Sequence, residues 1–138
     1  SVVGLLNDVN GNKVILCCLN SFPSEDTAFI CEEVASGITA IASNRHGCPS
    51  LQRLIDTLHG SAQATVTSAI ARNAVELVQN AYGNYAVQYV LKLEALGMAS
   101  ILIQQIRGSV RKLSKQKFSS NVVELLLQYG NPEDRASM

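Results

Sequence analysis

With 138 residues, 47% of them hydrophobic and 16% charged, the chain is long enough for one domain with a real core and too short for two ordinary ones. Eleven basic side chains balance eleven acidic ones, so net charge does not favour a nucleic-acid binder. No apolar run reaches membrane-spanning length and no N-terminal targeting segment is visible, which sets the expectation of a soluble, cytoplasmic protein with no membrane partner.

Taken in order, the chain reads as short helices grouped in threes. Val3 to Asn7 is the stub of a first helix and Asn12 to Leu19 a second. Ser24 has the character of an N-cap, with Glu25 and Asp26 in the first turn, where carboxylates favour the positive helix end. That third helix runs to about Ser36 and stops at Gly37. The plan repeats over Ile38 to Ser43, Cys48 to Leu58 and Ser61 to Ala71; Pro49 fits because the first turn has no helical partner for its missing N–H. Next come Val75 to Ala81, Asn84 to about Leu93, and Ala99 to Ile106, broken by Gly108. Val110 to Ser114 and Ser120 to Gln128 follow, then a Gly130-Asn131-Pro132 turn and a helix from Glu133.

Helical spacing of apolar residues throughout, with no alternating run, makes the chain all-α. Positions 12, 48, 84 and 120 lie at intervals of 36, and a fixed period in this range marks a solenoid. The expected repeats are 1–36, 37–72, 73–108 and 109–138. A three-helix unit of this size cannot bury its own apolar face and must stack on neighbours. Neither end has the polar cap that a terminal unit needs, so a partial array is expected, its uncapped ends open to self-association.

The second helix of each unit carries a recurring polar pair four residues apart, hence on one face. Asn84 and Gln88 supply two amides, each donor and acceptor, which suits the edge of uracil. Ser120 and Glu124 present an ionised, acceptor-only carboxylate, which suits the adjacent N–H donors of guanine. Cys48 and Gln52 combine a small group with one amide, matching adenine. Pro49, Tyr85 and Asn121 fall beside these pairs as a flat ladder for bases. Tyr85 alone is a true ring, and base–aromatic stacking is worth about 1–3 kcal/mol.

Tyr82-Gly83-Asn84-Tyr85-Ala86-Val87-Gln88 and Phe118-Ser119-Ser120-Asn121-Val122-Val123-Glu124, with His46-Gly47-Cys48-Pro49-Ser50-Leu51-Gln52-Arg53 in the same pattern, resemble the repeats of the PUF (Pumilio-homology) family. The resemblance covers essentially the whole chain and is similar to the fourth to seventh of that family's eight repeats. It implies a right-handed, armadillo-like α-solenoid in which each repeat reads one base of single-stranded RNA with two or three side chains. Carried over, Ser120 and Glu124 would read G, Asn84 and Gln88 U, and Cys48 and Gln52 A, with Asn121, Tyr85 and Pro49 stacking. That spells 5′-GUA-3′, the heart of the UGUA element in messenger 3′ untranslated regions. The family role is translational repression or message decay through recruited co-repressors, here expected on the convex face, with no catalysis and no cofactor. Three departures stand out. Pro49 replaces the usual Arg or aromatic, so poorer stacking is expected at the A position. Leu16 replaces the usual Gln partner of Asn12, and Lys13 replaces the usual stacker, so weak or degenerate reading is expected in the first repeat.

The residues leave one rival open: a helical-repeat scaffold for a protein partner, supported by the neutral charge and the degraded first repeat. For any single pair, exposed helix surface is a sufficient reading; recurrence in phase is what it fails to explain. An enzyme has little support, because no nucleophile–base spacing, paired acids or phosphate loop emerges. Cys17, Cys18, Cys31 and Cys48 show no CxxC spacing, so no metal or disulfide is expected, only buried or semi-buried thiols. Tyr89 and Tyr129 read as packing residues, His46 as a cap or inter-repeat hydrogen bonder and His59 as a helix end. Charge is uneven: residues 1–69 carry three basic side chains against six acidic, and residues 70–138 eight against five. Arg107, Arg111, Lys112, Lys115 and Lys117 crowd into one acid-free run, a solvated face on its own but a phosphate-attracting patch beside a binding helix.

Overall fold

Apolar residues three and four apart predict a helix in every segment, and a computed structural model places one in each. It describes residues 1–93 and 97–138, the side chain of Ser24 apart. Two units emerge, residues 1–70 and 71–138. The first contains α1 (Val2–Leu6), α2 (Gly11–Ser21), α3 (Ser24–Ser36), α4 (Ile38–Ala42), α5 (Gly47–Thr57) and all but the last two residues of α6 (Gly60–Arg72). The second contains α7 (Ala74–Leu77), α8 (Gly83–Lys92), α9 (Ala99–Ile106), a 3₁₀ turn (Arg107–Ser109), α10 (Val110–Leu113), α11 (Lys117–Tyr129) and α12 (Pro132–Ser137). No strand occurs among the described residues.

Each unit is built around its second helices. In the first, α2 packs beside α5, with α1 against both; in the second, α8 packs beside α11. Leu51, Leu54 and Ile55 of α5 are fully buried, with Leu6, Ile38 and Ile41 from the short helices behind them. Leu77, Val87, Val90 and Leu91 do the same in the second unit, joined by Leu102, Ile103 and Ile106 of α9. Each such side chain stabilises its unit by about 1.5–3 kcal/mol relative to exposure. One face of every second helix is therefore committed to the core, and the opposite face is left for other work.

The start of the second helix in the first three repeats is set by a device that recurs at the same interval of 36. Asp8 Oδ1 accepts from the N–H groups of Asn10 and Gly11, at 2.9 and 2.7 Å. Asn44 Oδ1 accepts from His46 and Gly47, at 2.8 and 3.0 Å, and Asn80 Oδ1 from Tyr82 and Gly83, at 2.9 Å each. These Asx turns satisfy backbone donors that the first helical turn leaves unpaired. The glycine that follows is required by proximity. A Cβ on Gly11 would lie 2.7 Å from the Leu5 carbonyl oxygen and one on Gly83 2.8 Å from that of Leu77; one on Gly47 would strike that of Ile41. The fourth repeat solves the same contact differently: Ser119 fills the space and its hydroxyl donates to the Leu113 carbonyl at 2.6 Å.

These turns account for the departures from the predicted boundaries. The second helices begin at Gly11, Gly47 and Gly83, one residue earlier than read from the polar pairs, because the Asx turn reaches the glycine. α7 ends at Leu77 rather than Ala81, since Asn80 has already turned the chain. In the fourth repeat Gln116 stands in the Asx position without a side-chain cap, and α11 starts at Lys117 instead of Ser120. Ser24 is the first helical residue and Pro23 takes the N-cap position; the Ser24 side chain lies outside the described residues. α12 starts at Pro132, one residue early, because Asn131 accepts from the Asp134 N–H at 2.7 Å. His46 occupies an N-cap position with no side-chain bond. Cys31 and Cys48 are buried and Cys18 half-buried, but Cys17 is exposed, contrary to expectation. Burial, and the Glu32 charge beside it, push the Cys31 thiol up.

Two outcomes follow from these caps. Gly83→Ala forces the helix start away from the Leu77 carbonyl and is expected to cost about 1–3 kcal/mol in urea unfolding, as overpacking does. Ser119→Gly, which reverts to the arrangement of the other repeats, is expected to cost less. The Gly11 N–H, then the Asn10 N–H and more weakly His46, hold the Asp8 carboxyl below the usual carboxylate range. Its contribution is therefore complete above the ordinary aspartate pKa and is lost as pH falls through the lowered folded value. Asp8→Asn keeps the turn, as Asn44 and Asn80 show, so acid titration of the variant should lack this component while neutral-pH stability is retained.

Candidate nucleic-acid interface

The faces turned away from the core carry the predicted residues in register. Lys13, Pro49, Tyr85 and Asn121 are all exposed, Tyr85 at 56%. One position before them, Asn12, Cys48 and Asn84 are buried, with 7%, 3% and 2% of their surface accessible; Ser120 is half-buried. One turn further on, Leu16, Gln52 and Gln88 are half-buried and Glu124 is exposed. Each second helix thus offers an exposed potential stacking residue beside a polar or apolar second-turn residue, with the first pair member sunk beneath. Tyr89 is half-buried and Tyr129 sits exposed at a helix end.

Burial changes what the first member of each pair does. Asn84 Nδ2 donates to the carbonyls of Asn80, at 2.7 Å, and Ala81, at 3.0 Å. Only an NH₂ group can serve two carbonyl oxygens, so Asn84 must turn its own oxygen the other way. That oxygen accepts from Gln88 Nε2 at 2.9 Å. The two amides are therefore not equivalent. Asn84 is consumed by the helix start and by Gln88, while Gln88, held by one N–H, has its carbonyl oxygen left to meet an incoming group. In the first unit Gln52 Nε2 reaches Cys48 Sγ at 3.7 Å, the same i to i+4 clasp with a weaker acceptor.

The other two repeats depart from the clasp in opposite ways. Ser120 Oγ donates back to the Lys117 carbonyl at 3.2 Å, so no such hydrogen bond ties it to Glu124, whose carboxylate stands in solvent as an acceptor-only group. In the first repeat Leu16 offers no donor, and Asn12 Oδ1 is a buried oxygen without a hydrogen-bond partner. An acceptor stranded in this way costs about 1–3 kcal/mol. This is the physical content of the degraded first repeat: the sunk amide is kept and its partner is lost.

Among the described residues no group of three His, Cys, Asp or Glu side chains is placed to hold a metal ion. No described helix is long and apolar enough to cross a membrane. The Asx turns and the stranded Asn12 oxygen escaped the sequence reading. The first was legible as Asp8, Asn44 and Asn80 at the common interval of 36; the second depends on burial, which spacing does not report.

Short helices in threes at a fixed interval of 36, each second helix with an exposed potential stacking residue near its start, define a class: all-α helical repeats. The comparison with known proteins says which. The Pumilio-family RNA binding repeat matches residues 1–35, 38–70, 73–93 and 109–138, and the chain belongs to that family, a non-enzymatic family of RNA-binding α-solenoids. It is 41% identical to the putative pumilio homolog 8 of Arabidopsis thaliana over 133 residues, 96% of this chain and 26% of that protein. It is 39% identical to pumilio homolog 11 of the same plant over 136 residues, 99% of this chain and 24% of the relative. The chain therefore spans about a quarter of these relatives' length. Among solved structures, the RNA-binding domain of yeast Puf5p bound to SMX2 RNA is similar with a TM-score of 0.82 and 31% identity, covering 93% of this chain and 36% of that one. The Puf3 RNA binding domain bound to a Cox17 RNA 3′ UTR recognition sequence is similar with a TM-score of 0.75 and 30% identity, covering 99% and 42%.

Leu16→Gln is expected to supply Asn12 Oδ1 with the donor that Gln88 supplies to Asn84. Because Leu16 is only half-buried, the gained bond should outweigh the lost apolar contact and raise unfolding stability by about 1 kcal/mol. Leu16→Met, without a donor, should give no such gain.

Proposed function

We propose that this chain reads single-stranded RNA base by base, with Glu124 selecting G, Gln88 selecting U and Gln52 selecting A, in the order 5′-GUA-3′. The observation that supports this most is the repeated relation at α5, α8 and α11: Pro49, Tyr85 and Asn121 exposed, each beside the polar side chain one turn on. Asn84 and Cys48 act through Gln88 and Gln52, setting which polar atom points outward, and Ser120 leaves Glu124 unencumbered. Glu124 is the most telling residue, because a carboxylate beside a polyanion is unfavourable unless the base opposite it offers donors. Guanine offers two adjacent N–H groups. The first repeat contributes little selectivity, with Lys13 placing an aliphatic stem and a charge where its counterparts place flatter groups.

In this reading the GUA triplet belongs to a UGUA-type element in messenger 3′ untranslated regions. The similarity to Puf3 bound to a 3′ UTR recognition sequence supports that assignment. Regulation of the message would then pass through protein co-repressors recruited to other surfaces. Equilibrium titration against a GUA-containing oligonucleotide and its single-base variants tests the proposal. Changing G to A should weaken binding by about 1–3 kcal/mol. Glu124→Gln should remove most of that preference while leaving the preference for U intact. Equal affinity for all variants would point instead to a scaffold for protein partners.

A further inference from the structure

The fourth repeat carries something the other three lack. Arg111 and Lys112 on α10, and Lys115 in the loop before α11, line an open recess of about 610 Å³ with Gly108, Ser109 and Gln116. All three cations are exposed. The repeat frame does not require them. At the common interval of 36, Arg111 corresponds to Val75, Thr39 and Val3; Lys112 to Glu76, Ala40 and Gly4; Lys115 to Gln79, Ser43 and Asn7. Three earlier repeats fold with no cation at any of these positions, so packing does not explain the cluster.

We propose that this recess is a second RNA contact, gripping backbone phosphates of the strand whose bases meet α11. The inference rests on the RNA reading proposed above. It answers an electrostatic problem which that reading creates. Glu124 is the one acidic reader in the chain, and it brings a negative charge against a polyanion. The repeat that carries Glu124 also carries Arg111, Lys112, Lys115 and Lys117, with Arg107 just ahead of it, so these cations offset that repulsion locally. The recess is lined by arginine, lysine, glutamine and serine around a bare glycine, much of its wall being carbon rather than polar atoms, and no apolar residue type lines it. That chemistry suits a run of phosphates, whose contacts carry affinity and salt dependence without base preference.

The test is the salt dependence of binding of the chain to a single-stranded GUA-containing RNA with uridine flanks. Each phosphate contact on a single strand contributes about 0.7 to the slope of log affinity against log salt. Arg111→Gln, Lys112→Gln and Lys115→Gln together should make the slope shallower by about 2, with the G-over-A ratio unchanged. The matched variant Arg45→Gln, Arg53→Gln and Lys92→Gln should change the slope by less. An unaltered slope, or an equal change in the matched variant, overturns the proposal while leaving base reading in place. A shallower slope with no G-over-A preference in the wild type keeps the phosphate contact and removes the base reading. Binding of polyglutamate more tightly than RNA, abolished in the triple variant, assigns the recess to an acidic protein and overturns the proposal. No RNA binding at any salt removes both.

Discussion

The proposed reading surface depends on where each second helix begins. A side-chain oxygen at position 8, 44 or 80 takes two backbone N–H groups and turns the chain into a glycine that lies against the preceding short helix. Helical phase follows from that starting point. Shift the start by one residue and every side chain rotates by about a quarter turn, moving the exposed residues toward the core. The cap is thus what converts an interval of 36 in sequence into the same exposed position on its own helix for Lys13, Pro49 and Tyr85. The fourth repeat fixes its own helix start through Ser119 and its bond to the Leu113 carbonyl. A hydroxyl there replaces the close approach that glycine permits elsewhere.

On that frame, the proposed selectivity is a matter of which polar atoms remain unspent. Asn84 has none; its donors hold the helix start and its oxygen holds Gln88. The cost of burying it is met internally, and the benefit appears one turn away as an oriented carboxamide. A freely rotating Gln presents donor and acceptor interchangeably and discriminates poorly, whereas a clasped one presents a fixed pattern. Gln52 is held more loosely, by sulfur at 3.7 Å. Glu124 needs no clasp, since a carboxylate accepts through both oxygens whichever way it turns. Leu16 ends the series by removing the clasp altogether.

Much of this was legible in the residues. The interval of 36, the helical class and the exposed row at 13, 49, 85 and 121 all follow from spacing and side-chain chemistry. Ala99–Ile106 was read to the residue. What escaped shares one cause: it depends on burial or on capping geometry rather than on periodicity. Asn84 and Gln88 look alike in sequence, and only packing separates the sunk amide from the half-exposed one. Asn80 reads as part of a helix running to Ala81, because an Asn in sequence does not announce that it will accept from the N–H groups of Tyr82 and Gly83. α11 started early because Gln116 is too long for the Asx turn its counterparts make. Cys17 was read as covered, but the face of α2 that carries it is open.

The claim on which the account rests is that one amide in the pair is locked and the other reads. Side-chain amide resonances of Asn84 and Gln88, followed by NMR in the free chain and during addition of GUA-containing RNA, address it directly. The Asn84 NH₂ should exchange slowly before RNA is added and shift little afterwards, while the Gln88 NH₂ should respond to replacing U by C. Rapid exchange at Asn84 in the free chain, or a Gln88 signal indifferent to that base, would contradict the account.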